Sequence, residues 1–127
     1  MIDHVSVPVR NLAAAAAFYQ RLLEPLGYAK LVTRPGTIGF GKKYPELWLN
    51  VRPDLAVAPG DPGGHVALRA ASEAAVRAFH AAAVAGGGMS AGEPGLRQAA
   101  LTTYFGAFIL DPDGNKLEAV SFPAPGA

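Results

Sequence analysis

His4 and His65, Phe18 and Phe79, and Gly27 and Gly88 form three like pairs, each 61 residues apart. Three anchors at one offset mark a duplicated supersecondary unit, which confines the chain to a fold with two similar halves. Ile2 to Val9 alternates, with Val5, Val7 and Val9 on one side and His4, Ser6 and Pro8 on the other, the period of a strand. Asn11 is placed to cap a helix in which Leu12, Ala16, Tyr19 and Leu23 recur at helical spacing, until Glu24-Pro25-Leu26-Gly27 stops it. Three extended pieces follow, broken at Arg34-Pro35-Gly36 and Lys42-Lys43-Tyr44-Pro45, the last running from Glu46 to Val51.

The order then begins again. His65 to Leu68 reads as a strand, Ser72 as a cap, and Glu73 to Ala85 as a helix closed by Gly86 to Gly88. A loop through Glu93 to Arg97 leads to a strand from Thr102 to Leu110, a turn at Asp111-Pro112-Asp113-Gly114, and a returning strand from Lys116 to Val120. The fold class is therefore α+β, one domain over 1–127, with βαβββ modules at 1–52 and 65–123 and a linker at 53–64 rich in Pro and Gly.

Charge and composition narrow the partners. Eleven basic against ten acidic residues leave no run fit to track a phosphate backbone, so nucleic acid is not an expected partner. No apolar run reaches membrane-spanning length and the opening Met-Ile-Asp-His lacks the basic start of a secretion signal, so a cytoplasmic location is expected. There is no cysteine, so any metal falls to imidazole and carboxylate ligands.

Strand parity nominates those ligands. In Lys116 to Val120, Leu117 and Ala119 share one face and Glu118 takes the other; in Glu46 to Val51, Glu46, Trp48 and Asn50 share a face. His4, His65 and Glu118, with Glu46 as a fourth, are the types that bind Zn, Ni, Mn or Fe(II) while leaving positions open for a bidentate oxygen substrate. A mid-strand carboxylate costs several kcal/mol to bury ionised and alone, so Glu118 needs a partner: a divalent cation, or else Lys116 or Arg69 in a salt bridge. Tyr104, Phe105, Phe108, Phe40 and Trp48 offer a pocket lining or core, Arg97 an anion clamp or a solvated cation, and His80 an ordinary surface or interface position.

The chain resembles the vicinal oxygen chelate superfamily, the group of glyoxalases, bleomycin-resistance proteins and extradiol dioxygenases. The resemblance rests on Asp-His-Val-Ser-Val at the start, Ala-Phe-Tyr followed by Leu-Gly-Tyr, Gly-His-Val-Ala-Leu, and Ala-Phe-Ile-Leu-Asp-Pro-Asp-Gly-Asn-Lys-Leu-Glu. It implies a curved, cup-shaped mixed sheet with helices on its outer face and a metal held at the positions of His4, His65 and Glu118. Glyoxalase I is similar also at Glu-Leu-Trp-Leu-Asn, where the Glu46 position carries its fourth ligand and the Asn50 position contacts glutathione. Pro8, however, stands where glyoxalase I has an arginine for a glutathione carboxylate.

What the resemblance implies is a metal-dependent lyase or isomerase of glyoxalase type, with Glu118 or Glu46 shuttling a proton; Trp48, Asn50, Tyr104 and Arg97 are the candidate substrate-pocket residues. It also implies a homodimer acting on a small molecule, in which a site is shared within or between chains. The alternatives are a non-catalytic binding protein of bleomycin-resistance type, or an Fe(II) extradiol dioxygenase, which would want one more histidine near its metal.

Overall fold

Asn11 and Ser72 start the two helices by accepting the amides of Ala14 and Ala75, so α1 spans Leu12–Leu23 and α2 spans Glu73–Ala85. The structure is a computed structural model that describes residues 1–122; the expected module end at Pro123 lies outside the described residues. Among the described residues eight strands complete it: β1 Val5–Val9, β2 Ala29–Arg34, β3 Thr37–Gly41, β4 Pro45–Val51, β5 Val66–Arg69, β6 Met89–Gln98, β7 Thr103–Leu110 and β8 Lys116–Ser121. A 3-10 turn at Glu24–Leu26 ends the first helix, and Gly27 follows with φ at +84°, a left-handed conformation that glycine adopts without penalty.

The strands form two four-stranded mixed sheets of identical plan, ordered β1-β4-β3-β2 and β5-β8-β7-β6. In each, the first strand runs parallel to the fourth, Val5 opposite Leu47 and Val66 opposite Leu117. The two-module α+β architecture thus stands, built from two four-stranded sheets. The helices lie against one face of each sheet and against one another, burying Tyr19, Leu22, Leu23, Val76 and Phe79 over Phe40, Leu47, Leu49, Ile109 and Leu117. Each such side chain contributes about 1.5–3 kcal/mol relative to exposure. The opposite face of each sheet is open, and by strand parity it carries Glu46, Trp48 and Asn50 on β4, Lys116 and Glu118 on β8, and Tyr104 and Phe108 on β7.

Two elements depart from the sequence reading. The segment Glu93 to Arg97, expected as a loop, belongs to the ten-residue β6, where register shifts between Ser90 and Gly92 and between Gly92 and Gly95 absorb the Gly and Pro residues as bulges. His4 and His65 stand just before β1 and β5 rather than inside them. No helix among the described residues is long and apolar enough to cross a membrane.

Tyr19 of α1 and Asp111, 92 residues later, tie the halves together through a buried hydrogen bond. Asn115 adds a bond from Nδ2 to the Pro8 carbonyl at 2.8 Å, and Arg10 grips Asp113 and the Pro112 carbonyl, each at 2.8 Å.

Candidate functional site

Glu118 is 4% exposed in the middle of β8, on the open face. Its Oε1 lies 3.2 Å from His65 Nε2, and its Oε2 accepts a hydrogen bond from Tyr104 Oη at 2.8 Å. The phenol reaches it because position 106 is glycine: a Cβ there would stand 2.8 Å from the Tyr104 ring and 3.2 Å from Glu118 Oε2. Burial first, then the Glu118 carboxylate, pushes the Tyr104 hydroxyl above its ordinary range, so it stays a donor at neutral pH. Phe108 closes the group edge-on to the His65 ring, centroids 5.2 Å apart.

Neither salt bridge weighed for Glu118 forms. Lys116 reaches outward to Asp61 of the linker at 2.7 Å, and Arg69 stacks on Phe122 at 4.8 Å. The arms point away because Lys116 and Arg69 are each two residues removed from the row that Glu118 and Ala67 share.

His65 also borders a cleft of about 350 Å³ where β1 and β5 face each other, together with His4, Asp3, Tyr28 and Glu46. His4 is turned to Asp3, with Nδ1 2.7 Å from Oδ1, and its side chain is 52% exposed. No three His, Asp or Glu side chains among the described residues converge closely enough to hold an ion. The register also distinguishes the two glutamates. Glu118 pairs with Ala67 as Trp48 pairs with Ser6, so Trp48 occupies the position in the first sheet that Glu118 occupies in the second. Glu46 corresponds instead to Lys116, each standing one residue before the leucine that pairs with Val5 or Val66.

Trp48 lies over Gly39 and under the Arg34 guanidinium, 5.8 Å from the ring centroid. Asn50 accepts the Thr37 hydroxyl at 2.7 Å. Of the aromatics read as lining or core, Trp48, Tyr104 and Phe108 take the open face, whereas Phe40 and Phe105 are buried under the helices. His80 is a correction: it is 8% exposed on the helix side, its Nε2 2.8 Å from Ser90 Oγ, because its place on α2 matches that of the buried Tyr19 on α1. Tyr28 was missed by sequence reasoning; it borders the cleft, and burial, then the charge of Glu46, pushes its hydroxyl up.

The linker closes one side of the site through Asp61, whose carboxylate takes Lys116 Nζ at 2.7 Å and the Gly63 amide at 2.8 Å. The Lys116 bond first, then the Gly63 amide, holds this carboxyl below its usual range. For an acid so lowered, the contact is present above the ordinary aspartate range and is lost as pH falls through the lowered value. Asp61 is too exposed for the pair to stabilise the fold much, so the effect is local. Asp61→Asn is expected to lower the ¹⁵N heteronuclear NOE across 57–64 at neutral pH while leaving Tm unchanged. An unchanged NOE would show that the contact does not hold the linker.

The profile of the Glyoxalase/Bleomycin resistance protein/Dioxygenase superfamily matches residues 1–119. A glyoxalase/bleomycin resistance protein from Albidiferax ferrireducens T118 is similar at 30% identity and TM-score 0.83, over 94% of this chain and 98% of that one. The fosfomycin resistance protein FosX from Listeria monocytogenes shares the fold at 15% identity and TM-score 0.69, over 98% and 95% of the two chains. A glyoxalase-related enzyme from Fulvimarina pelagi does so at 23% identity and TM-score 0.68, over 97% and 88%. No curated protein matches by sequence. With the profile covering both modules and a relative aligned over nearly its full length, the chain belongs to the glyoxalase/bleomycin resistance protein/dioxygenase superfamily.

Proposed function

We propose that this chain is a metal-dependent lyase or isomerase of glyoxalase type, acting on a small molecule through adjacent oxygens, with His4, His65 and Glu118 as the metal ligands. The observation that carries the reading is the His65–Glu118 contact: a carboxylate buried beside an imidazole, its other oxygen held by a phenol. The donor chemistry fits a borderline divalent cation, since neutral imidazole and carboxylate are its ordinary ligands and the chain offers no thiolate. A bound cation would supply Lewis-acid polarisation of the two substrate oxygens.

The chain's own residues do the rest. Tyr104 fixes Glu118 through Oε2, leaving Oε1 and the His65 ring as the pair that faces a ligand. Glu46, bordering the same cleft as His4 and His65, is the carboxylate placed to accept and return a proton. Trp48 and Asn50 form the wall on the first sheet. Leu31 on β2 and Leu96 on β6, exposed on the outer strand of each sheet, support a second copy as partner.

One observation favours a second reading. His4 is exposed and occupied by Asp3, so the third donor is not gathered, which suits a metal-free ligand-holding protein like those of bleomycin resistance. The ring-cleaving dioxygenase lacks such support, because the remaining histidine, His80, is engaged by Ser90 on the helix side. Elemental analysis of protein purified without an affinity tag separates the two. Near-stoichiometric Zn, Ni, Mn or Fe, lost in His65→Ala, is the expected result. Metal-free protein that fails to take up any of these ions would overturn the metal reading.

A further inference from the structure

Arg97 stands opposite Tyr104 in the β6–β7 register and so belongs to the open face. Its guanidinium lies over the Phe108 ring, 5.1 Å from the centroid. Nη2 donates to the Glu93 carbonyl at 2.7 Å, and this is its one hydrogen bond among the described residues. Nε is buried with no partner at all, the only such side-chain atom among the described residues. A donor closed off in this way is not reached by a ligand oxygen, which leaves the end of the guanidinium as the part open to an acceptor.

The local fold holds the guanidinium over the ring. The two register shifts of β6 interrupt the ladder around Glu93, whose carbonyl folds back to meet Nη2. Gly92 gives the plane its room, since a Cβ there would stand 3.0 Å from Nη2 and 3.1 Å from the Phe108 ring. The charge is also unspent. Lys116, on the same ring at 4.8 Å, is paired with Asp61, and Glu93 directs its carboxylate to His80 at 3.8 Å. None of the ion pairs among the described residues includes Arg97.

We infer that the small molecule taken on the open face carries an oxyanion group, carboxylate or phosphoryl, and that Arg97 receives it through Nη1 and the second Nη2 N–H, the end of the guanidinium that no protein acceptor occupies. Phe108 is bordered both by Arg97 and by His65, so the anionic group and the atoms presented to His65 and Glu118 lie about one aromatic ring apart. A planar fork with a fixed orientation is suited to bidentate oxyanion binding, which a lysine at this position would not reproduce. The inference rests on the open face being the small-molecule site, and not on a metal.

The test follows the Arg97 Nε–H resonance by NMR during titration with benzoate, phenylphosphonate and the neutral benzamide. Benzoate or phenylphosphonate is expected to shift that resonance, the tighter of the two naming the anionic group, while benzamide leaves it in place. Arg97→Gln is expected to weaken the anion about tenfold or more, with Arg97→Lys intermediate. An equal response to benzamide, or no response to either anion, would overturn the inference, and the wild-type resonance reports this even if Arg97→Gln folds poorly. Metal uptake by Arg97→Gln and benzoate binding by His65→Ala are both expected to persist. Failure of the metal reading and failure of the anion site are thereby read separately.

Discussion

Asp111→Ala is expected to lower stability by about 3–5 kcal/mol, the largest effect of any single polar substitution in this chain. Asp111 is 4% exposed and accepts four hydrogen bonds, from Tyr19 Oη, the Asp113 amide, the Asn115 amide and Asn115 Nδ2. Alanine would strand a fully buried phenol and two turn amides, and would loosen the side chain that reaches across to the Pro8 carbonyl. In a domain of this size the loss amounts to about 10–15 °C in Tm, read by calorimetry. A fall of less than about 3 °C would show that water replaces the carboxylate and that the joint between the modules lies elsewhere. The same site has a pH signature. Burial pushes the Asp111 carboxyl above its usual range, against the opposing pull of its hydrogen bonds. A raised acid binds its proton more tightly in the folded state, so its contribution is full below the ordinary aspartate range and declines as pH rises through the raised value. Asp111→Asn does not titrate and is expected to flatten that slope.

Glu118→Gln is expected to abolish divalent metal uptake, by 100-fold or more in affinity, while leaving the metal-free protein as stable as the parent or about 1–2 kcal/mol more so. The opposite signs have one cause. Without a cation, a carboxylate in mid-strand is supported, among the described residues, by the His65 ring and the Tyr104 hydroxyl, and removing its charge removes the desolvation cost. An amide of nearly the same shape still accepts from Tyr104. With a cation, the lost charge is the ligand itself. Metal titration by calorimetry and thermal melts of the chelated protein measure the two halves. A melt that drops by several degrees in Glu118→Gln would mean that the carboxylate is structural, and the metal reading would lose its main support.

The metal-ligand candidates show how far a sequence reading reaches. His65 and Glu118, 53 residues apart, sit beside each other because β5 pairs in parallel with β8. Strand parity was enough to give Glu46, Trp48 and Asn50 one face and to turn Glu118 away from Leu117 and Ala119, since alternation is a local property, but it left Tyr104 between lining and core. It was not enough to choose partners. Lys116 shares the face of Glu118 yet goes to Asp61, because an unbranched four-carbon arm selects whichever acceptor the linker presents. Glu46 matched a family pattern through the motif Glu-Leu-Trp-Leu-Asn, yet the register puts Trp48 in the row that mirrors Glu118. His80 looked like a surface residue on an alanine-rich helix and proved buried.

The sequence by itself determined the duplicated plan, the two helices with their Asn11 and Ser72 caps, and the alternation of faces along β1, β4 and β8. All of these follow from contacts within a few positions along the chain. Only the tertiary structure decided that Tyr104 steadies Glu118, that His4 turns to Asp3, and that Arg97 lies on Phe108 with a buried, unpaired Nε. Those outcomes depend on register, on the two bulges of β6 and on the approach allowed by Gly92 and Gly106, which are distances between strands and leave no periodic trace in the order of residues.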